Sequence, residues 1–177
     1  MSTILHSHTT HKMQKHLYFI CPTDHLETVI TRTFKRDHYF ISSLANSIEL
    51  DQESVEYING LIETEKINEI SFILSKDNQM INCAIQNPNR SNSYSMYNSK
   101  STIDLKIKNL ACSKKTTDVQ LIAISNYLDK KISELQLVIN KWIVQDIQIK
   151  ALIYNQNNNT FVEAIPALFK INQFGLN

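Results

Sequence analysis

Apolar residues along this chain fall into short dense runs, separated by stretches whose apolar positions repeat with helical spacing. "HLYFI", His16 to Ile20, is a run of buried-strand length. It ends at Cys21-Pro22-Thr23-Asp24, where Pro with Thr or Asp is helix-start chemistry, and Asp24 with Glu27 resembles a capping box. Leu26, Val29, Ile30 and Phe34 continue as a helical stripe. "HYFI", His38 to Ile41, reads as a second strand ending in Ser42-Ser43-Leu44-Ala45-Asn46. Asp51 and Glu53 open a further helix, acids placed where the helix dipole favours them, with Val55, Ile58, Leu61 and Ile62 facing inward.

"EISFIL", Glu69 to Leu74, is a third strand, and "FILSKDNQMI" then breaks into Ser75-Lys76-Asp77-Asn78 before a helix face of Met80, Ile81, Ala84 and Ile85. Residues 87–101, rich in Asn and Ser, read as a mobile loop or insertion. Thr117 with Gln120 is a capping-box pattern opening a long helix, with apolar positions Val119, Ile122, Ile124, Leu128, Ile132, Leu135, Val138, Ile139 and Trp142. "IQIKALIY" and "FVEAI" are two strands around a turn-rich tract, Asn155 to Thr160. Strands alternating with helices predict an α/β fold: a central, mostly parallel sheet flanked by helices, with antiparallel strands near the C-terminus.

The 177 residues suit one domain, expected over 16–177 behind a flexible polar tail over 1–15 that carries His6, His8 and His11. A His-rich tract can also bind metal. A formal net charge of +1 without a basic block predicts neither nucleic acid nor an anionic membrane as partner. No apolar run reaches membrane-span length and no signal-peptide core is visible, so the expected compartment is the cytoplasm. Cys21, Cys83 and Cys112 form no CxxC pair, which argues against a disulfide framework or a zinc ribbon. Gly60 and Gly175 are the only glycines, too few for a P-loop or a dinucleotide-binding fingerprint.

Two stretches carry a resemblance to the β-class carbonic anhydrases. "RDHYFISSLANSIELDQESVEYINGLIETEKINEISFIL" is similar to the family segment in which a Gly-Asp-x-Phe strand leads through an Arg-Asn-Ala turn and a helix to the strand bearing a zinc-binding His-x-x-Cys. "ISELQLVINKWIVQDIQIKALIYNQNNNTFVEAI" resembles the family's C-terminal helix, strand and hairpin. The resemblance implies a zinc held by Cys, His and Cys, the first Cys in a Cys-x-Asp-x-Arg motif, and a dimer whose subunits extend one another's sheets and exchange N-terminal segments. Three protein ligands with an open fourth position suit hydrolytic zinc, which lowers the pKa of bound water to about 7.

Here Ser75 stands at the His position and Asn78 at the second Cys position, poor replacements on zinc for imidazole and thiolate. In one register Cys21 matches the first ligand but Thr23 and His25 take the Asp and Arg places. Shifted by one, Asp24 is retained, while Pro22 and Leu26 stand at the ligand and the Arg. Ser43 replaces the Arg of the turn. The expectation is a non-catalytic relative with a degenerate zinc site and no cofactor, serving in binding, regulation or assembly with an unidentified protein or small molecule. Its relic pocket is predicted to comprise Cys21, Asp24, His25, Ser43, Ser75, Asp77 and Asn78.

Other readings of the same residues exist. The chain could be an active zinc carbonic anhydrase (carbonate dehydratase) with an altered metal site drawing on Cys83, Cys112 or a stray His, or an enzyme with new chemistry in the old pocket. Cys21 and His25 have the i, i+4 spacing of a nucleophile and base on one helix face, but no orienting carboxylate or oxyanion loop accompanies them, and Cys is commonly a small buried hydrophobe. Asp77 and Asn78 suit either a ligand or the cap of the next helix. Lys76 reads as solvated, Met80 and Trp142 as core, and Tyr94 and Tyr97 as candidates for partner contact.

Overall fold

The computed structural model describes residues 14–86, 116–139 and 147–164. Most of the expected N-terminal tail, the 87–101 loop with Tyr94 and Tyr97, Cys112 and Trp142 lie outside them. The elements are β1 (Lys15–Ile20), a 3-10 turn (Pro22–Asp24), α1 (Glu27–Thr33), β2 (Asp37–Ser42), a second 3-10 turn (Leu44–Asn46), α2 (Gln52–Glu65), β3 (Glu69–Ser75), α3 (Gln79–Gln86), α4 (Thr116–Ile139), β4 (Gln148–Asn155) and β5 (Thr160–Glu163).

They build one five-stranded sheet in the order β2-β1-β3-β4-β5. The pairs β1–β2, β1–β3 and β3–β4 are parallel and β4–β5 is antiparallel, with Phe19 level with Ile41 and Phe72. From β1 the chain moves outward to β2 and then crosses back to β3 on the other side. The C-terminal ends of β1 and β3 therefore form a topological switch point, where open α/β sheets leave a crevice.

Both central strands are buried on both faces, which is why they read as continuous apolar runs rather than alternating ones. Strand geometry sends alternate side chains to opposite sides. Leu17, Phe19, Cys21, Ile70, Phe72 and Leu74 meet Ile58 and Ile62 of α2, Ile81 of α3 and Ile124, Leu128, Leu135 and Ile139 of α4. Tyr18, Ile20, Ile73 and Tyr154 meet Leu26, just before α1, and Ile30 within it. Burying one such large side chain stabilises by about 1.5–3 kcal/mol, so these two layers outweigh any single polar contact.

The helix starts follow local chemistry where nothing competes for it. Asp51 caps α2, accepting the Ser54 N–H at 2.9 Å, and caps of this kind contribute about 1 kcal/mol. The Asp24–Glu27 capping box does not form: α1 begins at Glu27 behind Leu26, with no side-chain cap. Asp24 instead ends a 3-10 turn, because β3 takes its carboxylate. Thr117 lies inside α4, which already includes Thr116, rather than at its cap.

At the opposite edge of the sheet the strands begin on a buried polar cluster. His16, 3% exposed, has Nε2 2.8 Å from the Ser71 hydroxyl and Nδ1 3.0 Å from the Arg36 guanidinium. Guanidinium only donates, so Nδ1 accepts and Nε2–H donates to Ser71. Glu69 accepts from Arg36 at 2.9 Å and from Lys150 at 2.7 Å. Burial lowers the His16 pKa to about 4, although Glu69 pulls it upward.

The unfolded chain therefore binds a proton at this residue more readily than the folded one. The stability His16 contributes is complete above pH about 6.5 and is lost as pH falls towards about 4. Thermal melts across that window should show wild type losing more stability than a His16→Gln variant, whose amide keeps one donor and one acceptor. Parallel pH profiles for the two proteins would contradict this.

Candidate relic metal site

Pro22 fixes the backbone just beyond β1, and the Asp24 N–H closes the turn onto the Cys21 carbonyl at 3.0 Å. His25 follows in the left-handed region (φ 51°). This geometry returns Asp24 over the end of β3. Its Oδ2 accepts the Ser75 N–H at 2.7 Å and its Oδ1 accepts from Asn78 Nδ2 at 2.8 Å. Asn78, fully buried, uses its remaining side-chain acceptor on the Ile81 N–H at 3.0 Å and so caps α3. Ser75 Oγ accepts the Asp77 N–H at 3.2 Å. The turn itself is tied by the Asn78 N–H to the Ser75 carbonyl at 3.0 Å and by the Lys76 N–H to the Tyr154 carbonyl at 2.8 Å.

Burial pushes the Asp24 carboxyl above its ordinary range, against the hydrogen bonds from Ser75 and Asn78 and the nearby His25, which pull it down. The donors around it are neutral, so they compensate only part of the lost hydration.

Cys21 is engaged separately. Its sulfur is fully buried, accepts the Ala45 N–H at 3.1 Å and lies 3.0 Å from Thr23 Oγ1. Ala45 and Asn46 both have positive φ, 51° and 56°; Asn tolerates this region, whereas Ala holds it at a cost of about 1–3 kcal/mol. Asn46 Nδ2 donates to the Ile73 carbonyl at 3.0 Å, fixing the turn to β3. Ser43 Oγ, Asn46 Oδ1 and Tyr127 OH are buried without a partner among the described residues.

The relic-pocket residues thus divide. Asp24, Ser75 and Asn78 converge, while Cys21 and Ser43 flank them through the Leu44–Asn46 turn. His25 and Asp77 are exposed. Asn78 is the cap of α3, and Asp77 supplies only its backbone N–H to the network. The nucleophile–base pairing of Cys21 with His25 is not realised, because a 3-10 turn and a left-handed residue replace the helical turn it requires. Sequence reasoning did not single out Ala45, Asn46 or Tyr127; the positive-φ tolerance of Asn was the one local hint.

These residues do not fit a zinc ion. Cys21 is the only thiol among them, the Ser75 hydroxyl and the Asn78 carboxamide are already engaged, and Asp24 is spent on β3 and α3. Among the described residues no group of three His, Cys, Asp or Glu side chains is placed to hold a metal. Cys83 is exposed on α3.

The architecture is that of the β-carbonic anhydrases, and the chain has a β-carbonic-anhydrase-like fold. It is similar to the wild-type β-carbonic anhydrase CafD of Aspergillus fumigatus, with TM-score 0.68, 14% identity, and 89% of this chain and 92% of that one covered. It is also similar to CafA of the same fungus, with TM-score 0.62, 13% identity and coverage of 93% and 85%. A third likeness is to the tetrameric β-carbonic anhydrases of Sordaria macrospora, with TM-score 0.66, 12% identity and coverage of 85% and 80%. No sequence-family model and no curated relative matches the chain.

Asn78→Ala strips a partner from Asp24 Oδ1 and the cap from Ile81. Loss of about 2–3 kcal/mol is expected, combining an unsatisfied polar group with a lost N-cap. Denaturant unfolding measures this, and a change below about 0.5 kcal/mol, the range of an ordinary surface substitution, would contradict it.

Proposed function

We propose that this protein is a non-catalytic relative of the β-carbonic anhydrases, with a degenerate zinc site and a role in binding, regulation or assembly. One observation carries the reading: the Asp24 carboxylate and the Ser75 and Asn78 side chains hydrogen-bond to protein groups at the place where the resemblance puts the metal. Zinc hydration chemistry needs three protein ligands and an exchangeable position to generate hydroxide near neutral pH. The residues present supply neither imidazole nor a second thiolate there.

The test is direct. Protein purified without metal-affinity steps and lacking residues 1–13 should hold no stoichiometric zinc by elemental analysis. Stopped-flow CO₂ hydration should not exceed buffer. One tightly bound zinc per chain, or hydration abolished by a chelator, would overturn the proposal.

Self-association and a cytoplasmic location belong to the same proposal. No helix among the described residues is long and apolar enough to cross a membrane. Among the described residues Cys21 and Cys83 form no disulfide, which is compatible with a reducing compartment. Among the described residues the sheet ends at β2 and β5, and Val162 on β5 is 56% exposed. Open strand edges invite uncontrolled pairing unless covered, and a two-fold partner covers the same edge on both copies. The Sordaria macrospora neighbours are described as tetrameric. A homodimer is expected, with dimer mass in solution and a melting temperature that rises with protein concentration. A monodisperse, well-folded monomer at micromolar concentration would refute this part.

A further inference from the structure

We propose that the Asp24 carboxylate has taken over the structural task of the metal, clasping the end of β1 to the end of β3 and the start of α3. The inference rests on the non-catalytic reading above and goes beyond it, since a lost metal site need not have been replaced by anything. Here it has been. A single carboxylate accepts a backbone N–H from Ser75 at 2.7 Å and a side-chain N–H from Asn78 at 2.8 Å, on a segment 51 to 54 residues away. Asn78 passes the connection on to α3 through the Ile81 N–H at 3.0 Å. Those are the segments that the resemblance assigns to zinc ligands.

The donor–acceptor directions are fixed along this relay. Asp24 can only accept, Asn78 must donate to it, and the Asn78 oxygen must accept from Ile81. Asp24→Asn breaks the pattern, because the introduced amide has one oxygen for two donors. If Asn78 flips to accept from it, the flipped amide faces the Ile81 N–H with a donor, and the mismatch moves rather than disappears. Asn78→Asp sets two carboxylates against each other, which at neutral pH must either repel or take up a proton, each at a cost in stability. The double variant Asp24→Asn/Asn78→Asp restores every bond with the polarity reversed. The new amide accepts from Ser75 and donates to the new carboxylate, which caps Ile81 as well as Asn does.

The experiment is a thermal and denaturant-unfolding cycle on the full chain at neutral pH, with zinc content measured in each protein and chelator added in parallel. Each single variant should melt several degrees below wild type, and the double variant should recover most of that loss. Wild type should be indifferent to chelator. Non-additivity of this sign marks a direct interaction rather than two separate injuries. If a single variant fails to fold, a folded double variant supports the clasp equally.

A double variant whose loss equals the sum of the singles, or which also fails to fold, would overturn the clasp while leaving the non-catalytic reading intact. An Asp24→Asn protein as stable as wild type would do the same. Stoichiometric zinc in wild type would overturn both.

Discussion

Everything in this molecule depends on two neighbouring parallel strands, β1 and β3, that are buried on both faces. Their backbone groups are satisfied by each other and by β2 and β4. At the strand ends that pairing stops, and the groups just beyond must find partners elsewhere or remain buried and unpaired, at about 1–3 kcal/mol each. The Ser75 N–H at the end of β3 is such a group, and Asp24 answers it. Hydrophobic burial selects the sheet, and the unsatisfied strand ends then determine which polar residues the crevice keeps.

That requirement accounts for an otherwise unfavourable choice. A carboxylate held by neutral donors gives up hydration that they replace only in part, and burial raises its pKa accordingly. Two features offset the cost. Ser75 and Asn78 donate charge-assisted hydrogen bonds, which are stronger than neutral ones. The carboxylate also lies beside the residue that caps α3, at the helix end where a negative charge is favoured. A zinc ion would neutralise such a crevice, whereas this arrangement tolerates the charge by placing it at a helix start.

The strands and the long helices were legible in the sequence because their signals are local. Apolar runs of strand length mark β1, β2 and β3, and acids mark the start of α2. The resemblance also set Ser75 and Asn78 at the family's His and Cys positions, since that needs only comparison with a motif. What Asp24 does was not legible. Local chemistry offers it Glu27 and a helix cap, while its real partners lie 51 and 54 residues along the chain. The His16–Ser71 pair spans 55 residues and Cys21–Ala45 spans 24. Such contacts exist only once the sheet brings β1 and β3 side by side, and no window of sequence contains both partners.

The two ends of the sheet handle buried charge in opposite ways. At the N-terminal end burial pushes Glu69 up, but the hydrogen bond from Lys150 and the charges of Lys150 and Arg36 outweigh it and hold the carboxyl below its usual range. At the C-terminal end burial wins, and Asp24 is raised. By linkage, a depressed carboxyl supplies stability that is lost as pH falls through its folded pKa. A raised one favours the folded state as pH falls through its own. His16, neutral and buried beside Glu69, adds to the loss at the N-terminal end. Acid therefore removes stability at the end where β1 and β3 begin, while at the crevice the linkage of Asp24 runs in the opposite direction.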